Sequence, residues 1–269
     1  MLKDITLGQF FPGDTFIHRL DPRTKLLMVI VYIVALFLAK WVVSYAVMLA
    51  LLVTAVALSR IRPRALFKGL KPLLFIIIFT AIINVFYTKG DVLVQFWIFK
   101  IYAEGVRYAV LMAVRVMALI AGTSLLTYTT SPIVLTDAIE QLLKPLGKLH
   151  FPVHELAMMM SIALRFIPTL IEETDKIMNA QKARGAQLDN GKMTERIKAL
   201  VPVLVPLFIS AFRRADELAM AMECRCYRGG DGRTRLKVLR CTRQDYIDLA
   251  VCLACFAVIL ASRLVFPNF

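Results

Sequence analysis

Residues 26–58 are 33 consecutive positions with a single charge, Lys40. A soluble helix shows a polar face every few residues, whereas a bilayer span is apolar all round for about 20 residues. The run is too long for one span, and it divides at Lys40-Trp41, where a charge and an indole suit the lipid–water boundary. Two short spans, 26–39 and 42–58, joined as a tight hairpin, are therefore expected. Apolar stretches at 72–88, 108–128 and 247–266 bring the expected spans to five. Hydrophobic residues are 59% of the 269, more than one water-soluble core uses, so the fold class read from the chain is an all-α membrane protein. Disorder, collagen-like repeats and a secreted disulfide scaffold are excluded by the same composition. The five cysteines, Cys224, Cys226, Cys241, Cys252 and Cys255, crowd into the last quarter with nothing earlier to pair with, and are read as reduced thiols.

Charge sets the orientation. The chain carries 33 Lys and Arg against 19 Asp and Glu, net +14. Residues 1–25 hold seven charges, too polar for a signal peptide, and Asp21-Pro22 reads as an N-cap followed by a first-turn proline. One side of the expected topology receives nine basic residues (Lys3, Arg19, Arg23, Lys25, Arg60, Arg62, Arg64, Lys68, Lys71) and the other four (Lys40, Lys89, Lys100, Arg107). The richer side is cytoplasmic by the positive-inside rule. The chain then divides into a cytoplasmic N-terminal segment (1–25), a four-helix membrane region (26–130), a cytoplasmic insert (131–244) with 18 of the basic residues, and a last span with the C-terminus (245–269). Arg115 interrupts the fourth span and must face protein or water, with an intramembrane carbonyl or a loop carboxylate the favoured partner.

The insert predicts one short and two long helices. A surface helix over 133–146 starts after Ser131-Pro132 and closes at Pro145 and Gly147. A second helix runs from about Pro152 to Lys182, apolar in its first half apart from Arg165, and is expected to lie along the inner membrane face. The third, apolar from 197 to 212 and mixed from 213 to 223, contains Pro202 and Pro206, which are expected to bend it. An offset of 41 residues superposes the two long helices: Asp175 falls on Asp216, Ile177 on Leu218, Ala180 on Ala221 and Arg184 on Arg225. Each helix ends with an arginine, in Ala183-Arg184-Gly185 and in Cys224-Arg225-Cys226. A lone arginine at a helix end merely complements the dipole. Two copies of the arrangement suit a receptor with two similar sockets, since a guanidinium is always charged and offers a planar fork.

Here the chain resembles a known family. Gly8-Gln9-Phe10-Phe11-Pro12-Gly13-Asp14, His18-Arg19-Leu20-Asp21-Pro22-Arg23-Thr24-Lys25, and the two arginine tripeptides resemble the transmembrane T subunit of energy-coupling factor (ECF) transporters, of the EcfT/CbiQ family and the shared-module type. The resemblance implies a prokaryotic plasma-membrane protein that joins two ATP-binding-cassette ATPases to exchangeable substrate-binding S subunits in uptake of vitamins or other micronutrients. It implies docking of both ATPases on residues 183–185 and 224–226, with ATP and magnesium bound by those partners and no cofactor or metal in this chain. Cys224 and Cys226 depart from the small residues usual in the second tripeptide. Met158, Met159, Met160, Leu164, Pro202 and Pro206 are the expected S-subunit surface, methionine being soft enough to re-pack against several partners.

Other chemistry is weaker in the sequence. No G-x-x-x-x-G-K-[ST] motif occurs, so ATP binding is not expected here. His150 and His154 flank Pro152, which is expected to start a helix between them and keep their rings apart. The arginines and lysines between 228 and 243 directly precede a span, which favours anionic lipid over nucleic acid. A self-contained carrier, the alternative function, would show its repeat across membrane helices, and here the repeat lies in the insert. An embedded enzyme would need converging acids or histidines inside the spans, and no carboxylate is expected in any of the five. Single cysteines placed by Asp14→Cys, Gly90→Cys, Asn190→Cys and Phe269→Cys test the topology: positions 90 and 269 should react with an impermeant maleimide in intact cells. Labelling of position 190 from outside would overturn it.

Overall fold

The computed structural model describes residues 10–39, 41–87, 92–96, 99–145, 151–186, 193–229, 239 and 241–265. Its elements, in order, are α1 (Phe16–Arg19), α2 (Pro22–Leu38), α3 (Val42–Ser59), α4 (Pro63–Leu70), a 3-10 turn (Lys71–Leu73), α5 (Leu74–Tyr87), β1 (Val92–Phe96), β2 (Phe99–Tyr102), α6 (Ala103–Thr129), α7 (Pro132–Leu143), α8 (Val153–Ala183), α9 (Met193–Cys224) and α10 (Arg243–Val265). Two compact units emerge, one of residues 8–138 with 238–269, the other of residues 1–7 with 139–237.

Five helical stretches among the described residues are long and apolar enough to cross a membrane: Val42–Ser59, Pro63–Val85, Glu104–Thr129, Val153–Ala183 and Arg243–Arg263. Four match expected spans. The third begins nine residues before the expected 72, because Pro63 at the first helical position starts α4 within what looked like a basic loop. The expected span at 26–39 becomes α2, at 17 residues the shortest of the bundle helices, while α8 qualifies instead because its apolar half continues without a break through Arg165 and Pro168. The stretch between the third and fourth spans contains an antiparallel hairpin, with Val92 opposite Tyr102 and Phe96 opposite Phe99. Its run of β-branched and aromatic residues is the signal for strands.

The first unit is built around α2, α3, α6 and α10, whose buried core includes Tyr32, Ala35, Leu36, Tyr45, Met48, Leu52, Ala118 and Ile259. Tyr32 donates to the Ala118 carbonyl at 3.1 Å. Gly122, one turn further along α6, makes room for its ring: a Cβ there would stand 2.6 Å from Tyr32 Cε1. Where the hairpin turns between α2 and α3, Arg115 of α6 donates to the Ala39 carbonyl at 2.9 Å and lies over the Tyr45 ring at 5.6 Å. The intramembrane arginine thus serves a freed helix-end carbonyl, as expected. A cavity of about 250 Å³ between these helices is apolar except for Lys25, a few hydroxyls and Asp248, a carboxylate that sits one residue inside the last expected span.

At one end of the bundle the signature segment 18–25 forms a clasp. Lys25, buried, donates to the carbonyls of His18 (3.3 Å) and Thr129 (3.2 Å) and to Thr130 Oγ1 (3.2 Å). Asp21 caps α2 by accepting from the Arg23 amide at 2.9 Å, and its carboxylate holds the Arg23 guanidinium at 3.0 Å. Arg23 also donates to the Leu239 carbonyl at 2.8 Å. The Asp21 amide donates to Asp245 Oδ1 at 2.8 Å, and Asp245 Oδ2 accepts from the amide (2.6 Å) and hydroxyl (2.7 Å) of Thr242. Asp245, at the third position of α10, thus reaches back to the amide of the residue before the helix, which is one half of a capping box. Phe11 joins the same end through its amide, 3.0 Å from the Tyr128 carbonyl, and an edge-on ring contact with Tyr128.

Burial alone would push the Asp21 carboxyl up, but hydrogen bonds and charge from Arg23 outweigh it and hold the group below its ordinary 3.8. Such a group stabilises the fold in full above its unfolded value, and the gain disappears as pH falls through the lowered folded value. Asp21→Asn should therefore lose about 2 kcal/mol at pH 7, and below pH of about 4 its unfolding midpoint in detergent should converge on that of the wild type.

Candidate functional site

The second unit holds both arginine tips, and the backbone at the two helix ends is the same structure built twice. In α8 the Gly185 amide donates to the Lys182 carbonyl (3.0 Å) and the Ala186 amide to the Gln181 carbonyl (3.0 Å), with Gly185 in the left-handed region at φ +87°. In α9 the Cys226 amide donates to the Glu223 carbonyl (2.8 Å) and the Tyr227 amide to the Met222 carbonyl (3.0 Å), with Cys226 at φ +54°. Both are Schellman caps, and both place an arginine at the last half-helical position. Every residue of one cap sits 41 positions before its counterpart in the other, so the sequence repeat extends to hydrogen bonds and backbone angles.

Arg184 and Arg225 are exposed, as are Ala183, Gly185, Cys224 and Cys226. Among the described residues neither guanidinium makes a hydrogen bond or an ion pair. The caps satisfy the last carbonyls by backbone amides, which frees each side chain for an outside partner.

The helices that carry the tips are joined by two side-chain contacts. Arg214 Nη2 meets Glu173 Oε2 at 3.1 Å, and Gln181 Nε2 donates to the Pro202 carbonyl at 3.2 Å. The second contact follows from the prolines. Pro206 has no N–H to give to the carbonyl four residues back, which is that of Pro202, and the Gln181 amide takes the vacant place. α9 runs through both prolines as one 32-residue helix. From Glu173 to Gln181 the contacts advance along α8 while their partners step back from Arg214 to Pro202 along α9, so the helices run antiparallel and the two tips stand at opposite ends of the pair.

Of the expected S-subunit residues, Met159, Met160, Pro202 and Pro206 are exposed, while Met158 and Leu164 are half-buried. Sequence reasoning missed a more extensive feature. Leu200, Val201, Leu204, Val205, Phe208, Ile209 and Phe212 are all exposed and recur at the i, i+1, i+4 spacing of one helical ridge. His154 pairs with Glu140 at 3.0 Å, a local tie between α7 and α8, and His150 lies outside the described residues. Among the described residues no group of three His, Cys, Asp or Glu side chains could hold a metal ion.

Comparison with known proteins settles the family. The cobalt transport protein family (CbiQ) matches residues 13–236. This chain belongs to the CbiQ/EcfT family. It is 53% identical over 266 residues, 98% of each chain, to the energy-coupling factor transporter transmembrane protein EcfT of Clostridium kluyveri. The proteins of the same name from Ruminiclostridium cellulolyticum and Bacillus subtilis are 53% identical over 247 residues (92% of each chain) and 49% identical over 246 residues (91% of this chain, 93% of the relative). The membrane-embedded transporter component read from the spans and the CbiQ/EcfT membership agree.

The two caps of this CbiQ/EcfT chain differ at one place. A non-glycine residue in the left-handed region carries a penalty of roughly 1–2 kcal/mol, and Cys226 occupies the position that glycine fills at the first tip. Cys226→Gly should therefore tighten the second cap by about 1 kcal/mol, seen as roughly fivefold slower hydrogen exchange at the Tyr227 amide.

Proposed function

We propose that this chain is the non-catalytic coupling subunit of an ECF-type importer for vitamins or other micronutrients, passing the work of two ATP-hydrolysing partners to a substrate-binding S subunit. Arg184 and Arg225 each enter a socket on one ATPase. ATP and magnesium are bound by those ATPases. The N-terminus and the arginine tips that end α8 and α9 lie in the cytoplasm of a prokaryotic cell.

The observation that supports the reading best is the duplication of the capped tip. One exposed arginine at a helix end would be an ordinary dipole complement, but two with matching backbone geometry at opposite ends of one helix pair fit two similar receptors. The apolar ridge of α9, together with Met159 and Met160, is the surface we assign to exchangeable S subunits. A ridge of that size is more than a free-standing soluble surface carries, and its aliphatic and aromatic side chains suit membrane-embedded partners of varied sequence.

The test is copurification from co-expression with two ABC-type ATPases. At a desolvated contact, reversing one charge of a pair costs about 2–5 kcal/mol. Arg184→Glu or Arg225→Glu alone should weaken assembly, and the double variant should release both ATPases, because two contacts on one body act as a bivalent link. Arg→Lys at either tip should be intermediate, keeping charge and losing the fork. A double Arg→Glu variant that still holds both ATPases in stoichiometric amount would overturn the proposal.

A further inference from the structure

The ion pair between α8 and α9 has a special place in the repeat. The 41-residue offset that carries Arg184 onto Arg225 also carries Glu173 onto Arg214, and these two equivalents are the residues that meet, at 3.1 Å. In a helix pair related by a twofold axis, a residue touches its own counterpart only where the helices cross on that axis. The Glu173–Arg214 contact is where such an axis would pass through the pair. From it each tip is the same distance away, 11 residues in both helices, or about 16 Å at 1.5 Å per residue.

Faithful duplication would bring like side chains face to face at the crossing, and like charges there would repel. Instead Glu173 of α8 meets Arg214 of α9, opposite charges at equivalent positions of the repeat. Both side chains are partly open to water, 28% for Glu173 and 35% for Arg214, and ion pairs so exposed add little to stability. The pair's leverage is geometric. With arms of about 16 Å, a change of about 10° in crossing angle moves each tip by about 3 Å, as large as a hydrogen bond is long.

We propose that Glu173 and Arg214 are positioning residues that fix the crossing angle of α8 and α9, and through it the lateral placement and aim of the two arginine tips. The functional part of this rests on the reading of Arg184 and Arg225 as ATPase contacts; the geometric part needs no partner.

Nitroxides attached through Lys182→Cys and Lys198→Cys, which lie at the same end of the pair, would report the crossing angle by dipolar spectroscopy. The full chain would be used in lipid nanodiscs, in a background whose five native cysteines are replaced. Glu173→Arg and Arg214→Glu should each shift the distance by about 2 Å or more, and the double exchange, which restores opposite charges, should restore it. Unchanged distances in the single variants, or no recovery in the exchange, would overturn the proposal. In the assembled complex each single variant should lower ATP hydrolysis about fivefold with both ATPases still bound, and the exchange should recover it. A distance shift with unaltered hydrolysis would overturn the positioning role, whereas failure of the coupling reading would appear separately, as retention of both ATPases by the Arg184→Glu, Arg225→Glu variant.

Discussion

A carboxylate taken out of water needs donors in place of the solvent it loses, and Asp245, almost fully buried, has three of them: the Asp21 amide and the amide and hydroxyl of Thr242. Much of the first unit depends on that arrangement. Asp245 starts the last helix, and its hold on Asp21 fixes where the first long helix begins. Asp21 in turn orients Arg23, and the next turn of the same helix delivers Lys25 to the end of α6. Three long helices are thereby tied together at one end by ionised groups with satisfied hydrogen bonds. Their packed lengths are secured by tight contacts such as Tyr32 against Gly122.

The second unit follows different physics. Its two long helices touch through a partly exposed ion pair and one hydrogen bond to a carbonyl that a proline leaves vacant. Neither contact has the burial of the clasp, and the apolar ridge of α9 has no covering element among the described residues. The first unit is thus tied by buried polar contacts, and the second, among the described residues, by partly exposed ones.

What the sequence made legible follows from range. Spans were readable because about 20 apolar residues in a row have few other uses. The arginine tips were readable because a repeat is a comparison of the chain with itself, and Gly185 signals a left-handed cap by composition alone. Cys226 gives no such signal, and only its φ angle reveals the same cap. The role of residues 18–25 was hidden for a different reason: their partners Thr129 and Asp245 lie more than a hundred residues away, and spacing does not encode such contacts. Two signals were present and passed over. Glu173 against Arg214 is visible in the repeat once equivalents are allowed to touch, and Thr242 three residues before Asp245 has the spacing at which an acidic side chain reaches back to a helix start. The start of α4 was obscured by its own cations, and the hairpin by aromatics that also suit a membrane interface.

The clasp also constrains the order of events during synthesis. Asp21 and Asp245 are separated by 224 positions, which at 5–20 residues per second is roughly 10 to 45 s of translation. For that interval the first long helix has been made while the carboxylate that fixes its start does not yet exist. Lys25 can reach Thr129 about halfway through, so the bundle closes in two steps, the α2–α6 tie before the α2–α10 tie. A ribosome halted anywhere between the two would leave Asp21 and Arg23 with only each other, their partners at 239 and 245 not yet made.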